Sequence, residues 1–174
     1  MTSYGPTEAL DRRRHRADEF TSGQPSLDLW LRAYAAQGQR RGASRTFVVT
    51  DPSGRVVRYY SILAAELSHE AATPKVARQM SRHFPIPVAL IARLAVDLDH
   101  QGKGLGRSLL LDAIERIDRA STEIGLRAVL VHAIDEAAAR FYHRYGFEPS
   151  GLDPRTLMVT LSDVRRVLSQ HSPT

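Results

Sequence analysis

Cysteine is absent from this 174-residue chain. Disulfides, thiolate nucleophiles and cysteine-based metal sites are thereby excluded. Lysine is almost absent as well: of 24 basic residues only Lys75 and Lys103 are lysines, so guanidinium groups carry the positive charge. No run of about 18 apolar residues occurs, which argues against a membrane-spanning helix. The first residues lack the charged-then-apolar pattern of a secretion signal, and a cytoplasmic protein is the expectation. No segment repeats and none is low in complexity.

What is present is an ordinary globular composition, 43% hydrophobic and 25% charged, long enough for one domain with its own core. The net charge of +5 suits a polyanionic partner; solvated surface charge is the plain alternative. Arginines cluster at Arg12-Arg13-Arg14 with Arg16, at Arg40-Arg41 with Arg45, and at Arg78 with Arg82. Each planar guanidinium fork matches phosphate geometry.

Leu27, Trp30, Leu31 and Tyr34 recur at i, i+3, i+4 and i+7, predicting an early amphipathic helix. Thr46 to Thr50 and Arg55 to about Leu63 read as strands around an Asp51-Pro52-Ser53-Gly54 turn. Thr73 and Pro74 open a short basic helix expected to reach about Arg82. Val88 to Val96 is apolar except for Arg93, the pattern of a strand covered on both faces. A helix from Leu105, a strand from Arg127 to Ala133, a helix capped by Asp135, a strand from Leu157 to Leu161 and a terminal helix complete the chain. The order β-β-β-α-β-α-β behind an N-terminal helical segment predicts an α/β (α+β) fold, a mixed sheet with helices packed on it.

Gln101-Gly102-Lys103-Gly104-Leu105-Gly106-Arg107-Ser108 follows the apolar strand and opens the next helix, an arrangement that aims backbone N–H groups at one anion. A nucleotide P-loop fails because Gly104, and neither Ser nor Thr, follows Lys103. A dinucleotide fingerprint fails because Arg107 stands where the third glycine belongs. The remaining pattern, Q/R-x-x-G-x-G/A, is met by Gln101, Gly104 and Gly106, about 35 residues before Phe141-Tyr142-His143-Arg144-Tyr145-Gly146-Phe147.

This stretch, from about Leu90 to Phe147, resembles the coenzyme A-binding half of the GNAT superfamily of N-acetyltransferases. The resemblance implies a GNAT fold: a mixed, mostly antiparallel sheet with a central splay and helices on both faces. It divides the single domain into an acceptor-side half (1–87), an acetyl-CoA core (88–161) and a C-terminal helix and tail (162–174). It also implies acetyl-CoA as donor, with no metal. Backbone groups of Leu94, Ala95 and Val96 would pair with the pantetheine arm and polarise the thioester carbonyl. Gln101, Gly102, Lys103, Gly104, Leu105, Gly106, Arg107 and Ser108 would hold the pyrophosphate. Tyr142 takes the family's general-acid position; a core aromatic on an amphipathic helix is the plain alternative. Asp135 stands where many members carry Asn against the pantetheine arm. No general base is evident. Glu66 or a water chain could take the amine proton, and His69-Glu70 lacks the second histidine of a zinc motif.

Phe20, Gly23, Leu27-Asp28, Trp30-Leu31 and Gly42 to Val49, with Arg93 to Asp97 and Leu109 to Ala113, resemble the GNAT toxins of bacterial toxin–antitoxin systems across roughly residues 7 to 161. That resemblance implies acetylation of the α-amino group of aminoacyl-tRNA and a block of translation. It further implies a ribbon-helix-helix antitoxin, DNA contact only through the antitoxin complex, no membrane association, and a homodimer. Arg40, Arg41, Arg78, Arg82 and Arg93 are the candidate RNA contacts. For Arg93 an internal salt bridge with Glu66 or Asp97 is the alternative. A GNAT enzyme acting on a small amine or a protein N-terminus is the rival activity. A non-enzymatic module that retains coenzyme A is the third reading.

Overall fold

A computed structural model of the chain describes residues 3–171. In chain order its elements are β1 (Glu8–Ala9), α1 (Pro25–Ala33), α2 (Ala35–Arg40), β2 (Arg45–Thr50), β3 (Val56–Leu67), α3 (Pro74–Ala77), β4 (Ile86–Val96), α4 (Leu105–Ala120), β5 (Ala128–His132), α5 (Glu136–His143), β6 (Glu148–Pro149), β7 (Thr156–Thr160) and α6 (Leu161–His171). The strand order is β1-β2-β3-β4-β5-β7-β6. The predicted mixed, mostly antiparallel sheet is therefore present, with β4 and β5 as a parallel pair. Among the described residues no helix is long and apolar enough to cross a membrane.

The chain forms two compact units, Met1–Leu63 with Ala92–Ala113, and Ala64–Ile91 with Ile114–Thr174. In the first unit β2 and β3 make the expected antiparallel hairpin, Arg45 opposite Ile62 and Val48 opposite Tyr59. Its core joins Leu10, Phe20, Leu31, Val48, Tyr59 and Ala95. In the second unit Val88–Ile91 pairs in parallel with Ala128–Val131, and β5 pairs antiparallel with β7. Its core collects Val76, Ile86, Val88, Ala128, Leu130 and Met158.

Two expectations need correction, and one short strand had no expectation. The early helix does not run through Tyr34. The backbone there turns to φ −120° and ψ −25°, ending α1 and starting α2, and Tyr34 is 53% exposed and no part of the core stripe. The basic helix after Thr73 begins as predicted, with the Thr73 hydroxyl accepting from the Val76 N–H at 3.3 Å, but it stops at Ala77. Arg127 explains the stop. Its guanidinium donates to the carbonyls of Lys75, Val76 and Arg78 at 3.1, 2.9 and 3.0 Å, occupying acceptors that a longer helix would use internally. Strand β1 has two residues, too few for any periodic signal.

The first unit turns on Asp97, which is 1% exposed. Its carboxylate accepts from the Thr21 and Asp99 N–H groups, each at 3.1 Å, and from Arg55 at 3.0 Å. Its own N–H donates to Val57 O at 2.8 Å. Arg55 also lies near Glu19 and Asp99, but those carboxylates are 71% and 74% exposed and contribute little. Asp97→Ala is expected to cost about 3 kcal/mol in urea unfolding, since it leaves two N–H donors without their acceptor and Arg55 without its buried partner. Asp99→Ala should cost less than about 1 kcal/mol.

Candidate active site

The loop that follows β4 is built from its backbone outward. Asp97 caps a single 3₁₀ turn over Leu98–His100, and the Leu98 N–H donates to Thr21 O at 2.8 Å. The Gln101 amide then donates to Ser22 O at 2.8 Å and Val96 O at 2.9 Å. This side chain, expected at the pyrophosphate, pins the loop to the end of β4 and to the segment before α1. Gly102 and Gly104 follow at φ +78° and +72°, a region that only glycine enters without strain. A Cβ at either position would meet nothing within 4 Å. The glycines are thus required by backbone conformation and leave open space beside the N–H groups that start α4.

Leu105 and Gly106 begin α4, with Lys103, Arg107 and Ser108 exposed around them. Ser108 is held from within the first unit. Its Oγ accepts from Arg58 at 2.6 Å and donates to Leu105 O at 3.2 Å. Arg58 also donates to Leu105 O at 3.2 Å and lies 5.7 Å from the centroid of the Tyr4 ring. Burial lowers its pKa from the usual arginine value. Sequence reasoning missed Arg58. The signal was available: like Arg93, it interrupts an apolar strand, here between Val57 and Tyr59.

Ala95 is buried, with Leu94 and Val96 intermediate, and β4 runs to Val96 while the registered pairs with β5 run from Val88 to Ile91. Arg93 makes no ion pair among the described residues, which removes the salt-bridge alternative. Asp97 is taken by Arg55 and Glu66 is exposed. The Arg93 guanidinium instead covers Trp30, 4.2 Å from the ring centroid, and lines a hollow of about 340 Å³ with Tyr34 and Arg41. Arg40 is exposed at the end of α2. Arg78 and Arg82 belong to the second unit, both exposed, with Arg82 beside His69 and Met80.

In the second unit Asp135 caps α5, its carboxylate accepting from the Ala138 N–H at 2.8 Å. Tyr142 is buried on that helix, its ring packed against Phe141 and Phe147 at 5.3 and 5.6 Å. Burial pushes its hydroxyl well above the ordinary tyrosine value of 10.0, so it stays protonated at neutral pH. Among the described residues no group of three or more His, Cys, Asp or Glu could hold a metal ion.

Gly104→Val is the direct test of the loop. A β-branched residue at φ +72° is strained by about 1–3 kcal/mol, and its side chain enters the space beside the helix N-terminus. Acetyl-CoA affinity by calorimetry should fall at least tenfold while the thermal midpoint changes by only a few degrees; unchanged affinity would mean that the loop holds no phosphate.

Residues 42–149 match the family model of the acetyltransferase (GNAT) domain. The chain is 45% identical over 160 residues to a tRNA-acetylating toxin of Mycobacterium tuberculosis, covering 90% of this chain and 95% of that protein. Solved structures share the fold. AtaT complexed with acetyl-methionyl-tRNAfMet superposes with a TM-score of 0.85 at 24% identity, over 95% of this chain and 99% of that one. AtaTR bound with acetyl-CoA gives 0.80 at 26% identity, over 93% and 96%. The chain belongs to the GNAT family and is an acetyl-CoA-dependent N-acetyltransferase.

Proposed function

We propose that this enzyme is the toxin of a toxin–antitoxin system and acetylates the α-amino group of aminoacyl-tRNA, so that the acylated residue cannot accept a peptide bond. The observation that carries this reading is the 45% identity to a tRNA-acetylating toxin along nearly the whole of both chains. The arginine-rich surface supports it, since phosphate contacts orient a nucleic acid irrespective of sequence. An antitoxin of the ribbon-helix-helix type, through which the complex would reach DNA, and a homodimeric state belong to the same reading.

Acetyl-CoA supplies an activated thioester. The N–H groups of Gly102 to Ser108, at the start of α4, would bind its pyrophosphate with the favourable end of the helix dipole. The backbone of Leu94 to Val96 would align the pantetheine arm and polarise the carbonyl. As the amine nitrogen bonds to the carbonyl carbon and the C–S bond breaks, the Tyr142 hydroxyl donates its proton to the departing sulfur. The amine proton leaves to water or to a base such as Glu66. Asp135 would act chiefly through the cap that fixes α5.

Labelled acetyl-CoA incubated with a full set of charged tRNAs should label aminoacyl-tRNA. Label found only on a polyamine or a peptide N-terminus would overturn this assignment in favour of the rival acceptors. Tyr142→Phe should lower kcat by about 10²–10⁴ with acetyl-CoA affinity retained, and should relieve growth arrest on induction. The hydroxyl's folded pKa lies above its ordinary value, so its acid form persists through neutral and mildly alkaline pH. Titration of Tyr142 therefore lowers kcat only above pH 10.0. A decline in the kcat–pH profile below that value that vanishes in Tyr142→Phe would contradict the role.

A further inference from the structure

The hollow in the first unit is built unlike ordinary surface. Trp30 stacks on Tyr59 with ring planes 12° apart and carries the Arg93 guanidinium 4.2 Å from its centroid, so two aromatic rings and a guanidinium meet at one wall. Tyr59 is anchored from below, its hydroxyl donating to Leu27 O at 2.7 Å. The lining adds Tyr34, Arg41 and Ser44 and contains no carboxylate. At about 340 Å³ the hollow is in the range of small-ligand pockets, roughly 300–1,000 Å³. Neither Arg93 nor Arg41 makes a side-chain hydrogen bond or ion pair among the described residues. Burial lowers the pKa of Arg93, the mark of a cation held without an anion to compensate it.

A ligand suited to these walls is planar on one side and anionic on another. A cationic amine is disfavoured by two guanidinium groups and the absence of any acidic wall. A single unstacked nucleotide meets both requirements, because bases stack on aromatic rings and on guanidinium planes while phosphate takes the N–H donors. We infer that this hollow receives the unpaired 3′-terminal nucleotide of the RNA acceptor, with its base on Arg93 and Tyr34 and its phosphate at Arg41. The inference rests on the aminoacyl-tRNA reading and deepens it. The aminoacyl ester hangs from the ribose of that last nucleotide, so fixing the nucleotide fixes where the α-amine can reach.

Trp30 is the only tryptophan in the chain and lies inside the stack, so its emission reports directly on the hollow. The probes are the trinucleotide CCA and the dinucleotide CC, titrated against the full-length protein. CCA should change Trp30 emission, and CC should bind about tenfold more weakly, as expected for the loss of one stacked base. Arg93→Lys, which keeps the charge and loses the plane, and Tyr34→Ala, at an exposed position, should each weaken CCA about tenfold. Acetyl-CoA affinity in both variants should equal that of the wild type, showing an intact fold. With charged tRNA the loss should fall on KM more than on kcat. Equal binding of CCA and CC, or unaltered CCA affinity in both variants, would overturn the inference while leaving tRNA acetylation standing. An emission change with an amino-acid methyl ester but none with CCA would assign the hollow to the aminoacyl side chain and also overturn it. Absence of label on any charged tRNA would instead remove the acceptor reading itself.

Discussion

The glycine loop after β4 depends on one buried carboxylate. Asp97 is 1% exposed at the point where β4 stops, and a charge there is tolerated only with several donors around it. Arg55 and two backbone N–H groups supply them. Those donors come from the residue just before β3, the segment before α1, and the turn that Asp97 itself caps. The same carboxylate that needs neutralising thereby ties three pieces of chain to the start of the loop. Gln101 repeats the strategy with an amide, bridging Ser22 O and Val96 O. The positive-φ glycines then enter a frame that is already fixed at its upstream end, and Arg58 and Ser108 fix the downstream end. Preorganised donors of this kind bind an anion without first having to be collected, which is where helix N-termini derive their advantage over mobile side chains.

The main elements were legible in the sequence because their signals are local. The apolar run into β4, the Thr73 and Asp135 caps, and the alternating hairpin all depend on residues a few positions apart, and all form. The errors arose where distant residues decide. The end of α3 is set by Arg127, some 50 positions further on, and no helix-propensity argument from Arg78 to Arg82 could include it. Tyr34 matched the helical stripe by spacing alone, but the chain bends there and the ring faces outward. Among the expected site residues, Gly102 and Gly104 have a conformational need that glycine alone meets without strain, at positive φ. Gln101, Ser108 and Asp135 were assigned to the ligand by resemblance, and the bonds that their side chains make to backbone and neighbours depend on residues that the motif does not include. Arg93 was visible as an anomaly in an apolar strand; what it touches depended on α1.

The preference for arginine over lysine also acquires a physical sense in the first unit. Arg93 covers an indole, Arg58 reaches two acceptors in the first turn of α4, and Arg55 spans a buried carboxylate. Each position uses the plane or the fork of the guanidinium as well as its charge. A lysine ammonium is a point charge with a strongly hydrated head, and it would satisfy none of the three equally. The two lysines that occur are both exposed: Lys75 makes a partly exposed ion pair with Asp163, and Lys103 lies in the glycine loop.

The missing general base fits the choice of acceptor on the proposed reading. An α-amino group titrates near about 8, whereas a lysine or polyamine nitrogen titrates near about 10.4. At neutral pH roughly a tenth of the former is already the neutral nucleophile, against less than about a thousandth of the latter. An enzyme that acetylates lysine-like amines must therefore remove a proton before attack, and needs a strong, well-placed base. One that acetylates an α-amine needs mainly to bind the neutral form and release a proton to water after attack. What it cannot forgo is a proton for the departing sulfur and a hold on the acyl carbonyl. Burial of Tyr142 keeps its hydroxyl in the acid form, and on the proposed reading the part of β4 that runs past its registered pairs with β5 would supply the backbone for the second. On the proposed reading, the demands of an α-amine acceptor would thus fall on a proton donor and a carbonyl hold rather than on a strong base.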